Sequence, residues 1–241
     1  MKKELFRPGV AMLELIFAIV VIAIVLMSAP MLVSTATKSS NVAIQQESIN
    51  EAATQLNIIL GYHWDENDTD ENYIDPVLHV TNGDTNLSEI PGTGRRLGTP
   101  IESQRAFVRE DGRSFFASNI LGSEGGDRDD IDDFNGTTSL REIQPSAGNN
   151  YIETTTVNIA TTVNYISDAP VATSGTYANP GADNKLLFVP DLAGTAVAST
   201  NIKRITVTLT STSGEADLNK TIVLHAFSCN IGGYKLEERR F

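Results

Sequence analysis

Apolar and polar positions divide the chain into three stretches of different character. From Val10 to Val33 nearly every side chain is apolar and Glu14 is the only charge. As a helix, at ~1.5 Å per residue, that run rises about 36 Å, enough to cross a hydrocarbon core of ~30 Å. Beyond it the sequence turns polar but keeps a helical period: Ile49, Ala52, Ala53, Leu56, Ile59 and Leu60 recur at spacings of three and four, an amphipathic stripe. Gly61 follows as a stop signal. The pattern predicts one helix from near Val10 to Leu60, about 75 Å long, with Pro30 as the place for a kink.

Residues 62–150 lose this periodicity and are rich in Gly, Asn and Asp. Only Pro76 to Val80, Ala106 to Val108 and Ser114 to Ala117 read as fragments of regular structure, so long loops are expected. Residues 151–230 are Thr- and Val-rich and alternate. Tyr151 to Ile166, Lys185 to Val189, Ile202 to Thr210 and Lys220 to Cys229 read as strands. Ile205, Val207 and Leu209 alternate with Thr206, Thr208 and Thr210, and a polar stretch separates them from Thr221 onward, which predicts a terminal antiparallel hairpin. A long helix packed on such a sheet is an α+β fold, with residues 61–241 as a head that carries acidic loops (62–150) and a C-terminal sheet (151–230).

Ahead of the apolar run, Lys2, Lys3 and Arg7 outweigh Glu4, a bias that holds this side in the cytoplasm and sends the remainder outward. Three readings fit the segment: a secretory signal cut near Ser34, Thr35 and Ala36, a plain signal anchor, and a prepilin leader. A carboxylate inside the span costs several kcal/mol unless it has a partner, and neither of the first two readings supplies one for Glu14.

A short basic leader ending in glycine, ahead of an apolar helix with Glu at its fifth position, resembles the type IV prepilins and type II secretion pseudopilins. Here Gly9 ends the leader (1–9), and VAMLELIFAIVVIAIV opens with Val10 and places Glu14 fifth. The likeness covers about the first 35 residues, with Val10 and Ala11-Met12 standing where Phe and Thr-Leu are commoner. It implies a transmembrane half-helix (10–33), an amphipathic half (34–60), and a prepilin peptidase that cuts after Gly9 and methylates the Val10 amine. It further implies that Glu14 pairs with a neighbouring subunit's amine during assembly, so that two charges costly in lipid neutralise each other. The expected partners are other pilin or pseudopilin subunits, the peptidase and an inner-membrane assembly platform. The expected setting is the bacterial inner membrane, single-pass with the head in the periplasm, and then a pilus or pseudopilus filament. The length left after cleavage implies a minor subunit. The stretch AspAspIleAspAspPheAsnGly (129–136) also resembles a motif in minor pilins of the mannose-sensitive haemagglutinin pilus group.

Charge narrows the alternatives. With 30 Asp+Glu against 18 Lys+Arg and a formal net charge of -12, the surface repels phosphate backbones, so no nucleic-acid partner is expected. Cys229 is the only cysteine, which excludes an intrachain disulfide. The carboxylates gather at residues 65–71 and 127–133. Asp127, Asp129, Asp130, Asp132 and Asp133 are candidate calcium ligands, calcium being the one cofactor the sequence suggests. On the EF-hand pattern Asp133, Asn135, Gly136 and Glu142 fall at ligand or turn positions, but the first position is Ile131, which offers no side-chain oxygen. Two other readings are a solvated acidic loop, and a turn anchored by Ile131 and Phe134 whose carboxylates cap backbone amides.

No enzyme is expected. His63, His79 and His225 are scattered and no catalytic motif is present. His225 and Cys229 lie four residues apart along one strand, ~13 Å, too far for a base to activate a thiol. His63 with Asp65 and Asp68 is a further candidate ligand group. The second functional hypothesis is a membrane-tethered or secreted periplasmic binding module whose acidic loops take calcium or a cationic ligand.

Overall fold

Helix α1 runs from Pro8 to Ile59, 52 residues or about 78 Å, within two residues of the predicted limits. The computed structural model describes residues 8–100, 103, 105–123, 126–143, 155–181, 183–211 and 218–234. Pro30 lies inside α1 without ending it. Beyond Ile59 a last turn closes through the amides of Gly61 and Tyr62, which donate to the carbonyls of Ile58 and Ile59 at 3.0 and 3.1 Å.

Two short strands follow, β1 (Glu89–Ile90) and β2 (Arg95–Arg96), and then four that form one antiparallel sheet: β3 (Thr138–Ile143), β4 (Thr155–Ile166), β5 (Ile202–Ser211) and β6 (Thr221–Cys229). Their order in space is their order in sequence. The expected terminal hairpin is β5 with β6, in a register that sets Ile205 opposite Ala226, Val207 opposite Leu224 and Leu209 opposite Ile222. Of the expected strand from Tyr151, residues 151–154 lie outside the described residues.

Two expectations need correction. Lys185 to Val189 is not a strand: Leu187 shares one backbone hydrogen bond with Val171 (2.8 Å), and its own amide donates to the Ser174 hydroxyl, so no ladder forms. Strand β3 falls within the stretch expected to be loop. It pairs along its length with β4, from Thr138 opposite Ala160 to Ile143 opposite Thr155.

The C-terminal part of α1 lies on one face of this sheet, touching all four strands. Ile44, Ser48, Ala52 and Ile59 are its buried positions, at spacings of four, four and seven, which keep them on one helix face, and Leu56 is partly covered. Ser48 is tolerated there because its hydroxyl donates to the Ile44 carbonyl at 2.8 Å. Ile49 and Leu60, expected on the stripe, face outward. The sheet meets the helix with Val157, Ile159 and Val163 of β4 and Ile205, Val207 and Leu209 of β5, each at most 2% exposed. Leu78, Ile131 and Phe134 from the loops close the core.

Candidate functional site

Every side chain from Met12 to Ser39 is exposed among the described residues. This part of α1 is long and apolar enough to cross a membrane. An apolar surface of this extent is unstable in water and needs lipid or other helices around it. Glu14 sits on it, exposed, and among the described residues it forms no hydrogen bond or ion pair. Gly9 and Val10 lie in the first turn of α1.

Of the readings left open for the acidic loops, the structure shows the turn whose carboxylates accept backbone amides. His63 and Asp130 form a parallel bridge, with the Ile131 amide donating to the His63 carbonyl at 3.0 Å. That pairing brings the two acidic runs, 65–71 and 127–133, together at one end of the sheet. What they surround is Lys203, the first inward-facing residue of β5, directly across the ladder from Tyr165. Lys203 is fully buried. Its ammonium donates to the Trp64 carbonyl at 2.6 Å, to Asp65 Oδ2 at 3.2 Å and to Asp132 Oδ1. The Trp64 and Tyr165 rings flank it, with centroids 4.6 and 5.4 Å from Nζ.

Each carboxylate has a defined task. Asp65 accepts from the amides of Asn67 and Ser118 and from the Tyr165 hydroxyl, and it caps the short 3-10 turn Glu66–Asp68. Asp68 returns the cap by accepting from the Asp65 amide at 3.1 Å. Asp130 Oδ1 accepts from the amides of Asp132 and Asp133 at 2.8 and 3.0 Å. Asp133 accepts from the amides of Asp129 and Asp130. Ile131 and Phe134 are buried at 1% and 4% exposure, so the turn they anchor is the structural reading of this segment. Asp127 is exposed and Asp129 half-buried. Of these five candidate calcium ligands, Asp130 and Asp133 accept backbone amides and Asp132 faces Lys203, while Asp127 is exposed and Asp129 Oδ1 has no hydrogen-bond partner among the described residues. Among the described residues no group of three or more His, Cys, Asp or Glu side chains is arranged to hold a metal ion.

Burial pushes the Asp68 carboxyl up to about 8, with the charges of Asp75 and Asp65 adding to it. Burial and then the Asp132 charge push Asp130 to about 8 as well. Both therefore favour their neutral form well above the usual carboxylate range, and Asp65 and Asp132 are the carboxyl groups in hydrogen-bond contact with the lysine. Burial pulls Lys203 down, but the charges of Asp65 and Asp132 outweigh it and hold the ammonium above the ordinary lysine range. Burial, then Asp65 and Asp132, push the Tyr165 hydroxyl upward.

The remaining sequence candidates are dispersed. His63 turns to Asp75 (3.3 Å) and away from a group with Asp65 and Asp68, and His79 turns to Glu89 (3.5 Å). His225 accepts from or donates to the Thr206 hydroxyl across the ladder at 3.0 Å, and Cys229 is exposed at the end of β6. A second buried polar cluster, unseen in the sequence, joins Arg96, Asn201, Asn230 and Asp168. Asn230 pairs with both backbone groups of Leu78, at 2.9 and 2.7 Å, and burial lowers the Arg96 guanidinium to about 10. Beside Asp168 a cleft of about 420 Å³ opens between residues 82–84, 166–169 and 191–197, but Asp84, Asp168 and Asp191 already accept backbone amides there.

Lys203 had one legible signal: it shares the strand parity of Ile205, Val207 and Leu209, so alternation alone places it on the buried face. No family model, no curated protein and no solved structure matches the chain.

Proposed function

We propose that the chain is a structural subunit of a type IV pilus or type II secretion pseudopilus. In this reading it is processed after Gly9, held in the inner membrane by α1, and assembled through that helix with Glu14 paired to a neighbour's N-terminal amine. One observation carries the reading: α1 is a single helix whose front half is exposed, apolar and marked by one carboxylate that has no partner among the described residues, while its back half is built into an α+β head. A helix of this kind needs other helices to cover it, and a carboxylate in that surface needs a cation at the same depth. Cleavage after Gly9 would create that cation on Val10.

N-terminal analysis of the chain recovered from its native membrane tests the reading. It predicts a start at Val10 with an N-methylated amine. An intact Met1, or a start at Thr37, would replace it with the anchor or the secretory-signal reading.

A further inference from the structure

The head must hold together outside the cytoplasm, on the reading above, without a disulfide, since Cys229 has no second cysteine to join. The polar centre around Lys203 offers a different covalent tie. Lys203 and Asp132 touch with both side chains at 0% exposure, and they come from segments 71 residues apart. Next to Asp132 lies Asp130, 1% exposed, whose Oδ2 is buried without a hydrogen-bond partner among the described residues. Trp64 and Tyr165 wall the group from water. A primary amine, a carboxyl carbon and a third carboxyl thus share one dry site.

We propose that Lys203 and Asp132 condense to an intramolecular isopeptide bond, with Asp65 and Asp130 moving the protons. The balance is closed. Proton transfer within the ion pair gives a neutral amine and a neutral acid, a form that low polarity favours relative to water. Asp65, 3.2 Å from Nζ, takes a proton as the amine lone pair attacks Asp132 Cγ. Asp130 supplies a proton to the departing Asp132 oxygen and recovers one through the cluster. One C–N bond forms and one C–O bond breaks. The ammonium loses two hydrogens to that oxygen, which leaves as water, and no oxidant, nucleotide or second protein is needed.

Asp132 is the acyl partner because, among the described residues, its other oxygen accepts a single amide, from Gly122 at 3.3 Å. Asp65 has its oxygens engaged by Asn67, Ser118 and Tyr165 and is the less available electrophile. Asp130 suits the donor role because burial keeps its proton near neutrality. Since the two carboxylates favour the ammonium in the resting pair, the reactive form is a minority, and the step is a slow, single maturation event. Holding amine and carboxyl in contact supplies the effective concentration that makes such an event feasible.

The test is denaturing intact-mass analysis of the full chain purified in detergent, with tryptic mapping to locate any change. The wild type should be lighter by one water than its sequence after allowance for N-terminal processing. One peptide should join the segment containing Asp132 to that containing Lys203, uncut after Lys203. Lys203→Arg keeps the charge but should show the full mass. Asp132→Asn should lose ammonia in place of water and reach the same final mass as the wild type. Asp130→Asn should leave most chains unlinked. A full-mass wild type, or a water loss that persists in Lys203→Arg, overturns the proposal and leaves the pair as an ordinary buried ion pair.

Discussion

Asp68 makes the stability of the head depend on pH in a direction opposite to that of most surface carboxylates. In the folded chain it keeps its proton to about pH 8, whereas an unfolded Asp ionises near 3.8. Between those values the folded state holds the extra proton, so stability is fully present below about pH 4 and declines as pH rises toward 8. One retained proton corresponds to about 1.4 kcal/mol per pH unit, so the loss from pH 5 to pH 8 reaches about 4 kcal/mol. Asp130 adds a contribution of the same sign. Asp70, Asp111 and Asp191, which hydrogen bonds hold below the usual carboxylate range, titrate beneath this window and do not mask it. Asp68→Asn keeps the acceptor for the Asp65 amide and replaces the acid's O–H with an N–H, so the variant should lose the Asp68 share of the slope and exceed the wild type at pH 8. Trp64, the only tryptophan and 7% exposed, reports unfolding by its fluorescence in urea titrations of the detergent-solubilised chain. A wild-type stability that is flat or rises from pH 5 to pH 8, or an unchanged slope in Asp68→Asn, would refute the assignment of a buried, neutral Asp68.

Other perturbations separate core, polar and surface contributions. Ile205→Ala, at a position with 0% exposure between α1 and the sheet, should lower the unfolding free energy by about 2–5 kcal/mol in the same titration. Asn230→Ala leaves the Leu78 N–H and C=O unpaired and should cost about 1–3 kcal/mol for each group, with faster amide exchange at Leu78. Glu51→Ala removes a pair with Arg141 (3.0 Å) that is open to solvent on both sides, and should change stability by less than about 1 kcal/mol.

The elements legible in the sequence are those whose signal is local. An uninterrupted apolar run and a period of 3.6 define α1 to within two residues, and the strict alternation of Ile205, Val207 and Leu209 defines β5 and its partner β6. Strand β3 escaped because ThrSerLeuArgGluIle carries little apolar contrast and owes its extended form to pairing with β4, which lies beyond it in sequence. Lys185 to Val189 is a short apolar run of strand-forming residues but among the described residues finds no strand to pair with, so propensity there is overridden by tertiary context. The acidic runs show the same limit at the level of chemistry. From the sequence, residues 65–71 and 127–133 are two clusters of like charge that need solvent or a cation. The fold joins them through the His63–Asp130 bridge around a lysine located more than 70 residues further on. Only the parity of Lys203 pointed to that centre.

On the proposed function, assembly depends on Glu14, which is tested by crosslinking and co-purification of Glu14→Gln with its membrane partners, compared with the wild type. Gln keeps the size and most of the hydrogen-bonding capacity of Glu while removing the charge. Membrane insertion should therefore persist or improve, since an ionised side chain near mid-helix costs ~2.5–3.5 kcal/mol. Removal of Met1 to Gly9 should continue. Incorporation into the assembly should fall sharply, because the neighbour's N-terminal ammonium would be left in apolar surroundings without its counter-ion, a penalty of roughly 3–5 kcal/mol. Incorporation equal to the wild type, with processing intact, would contradict the account.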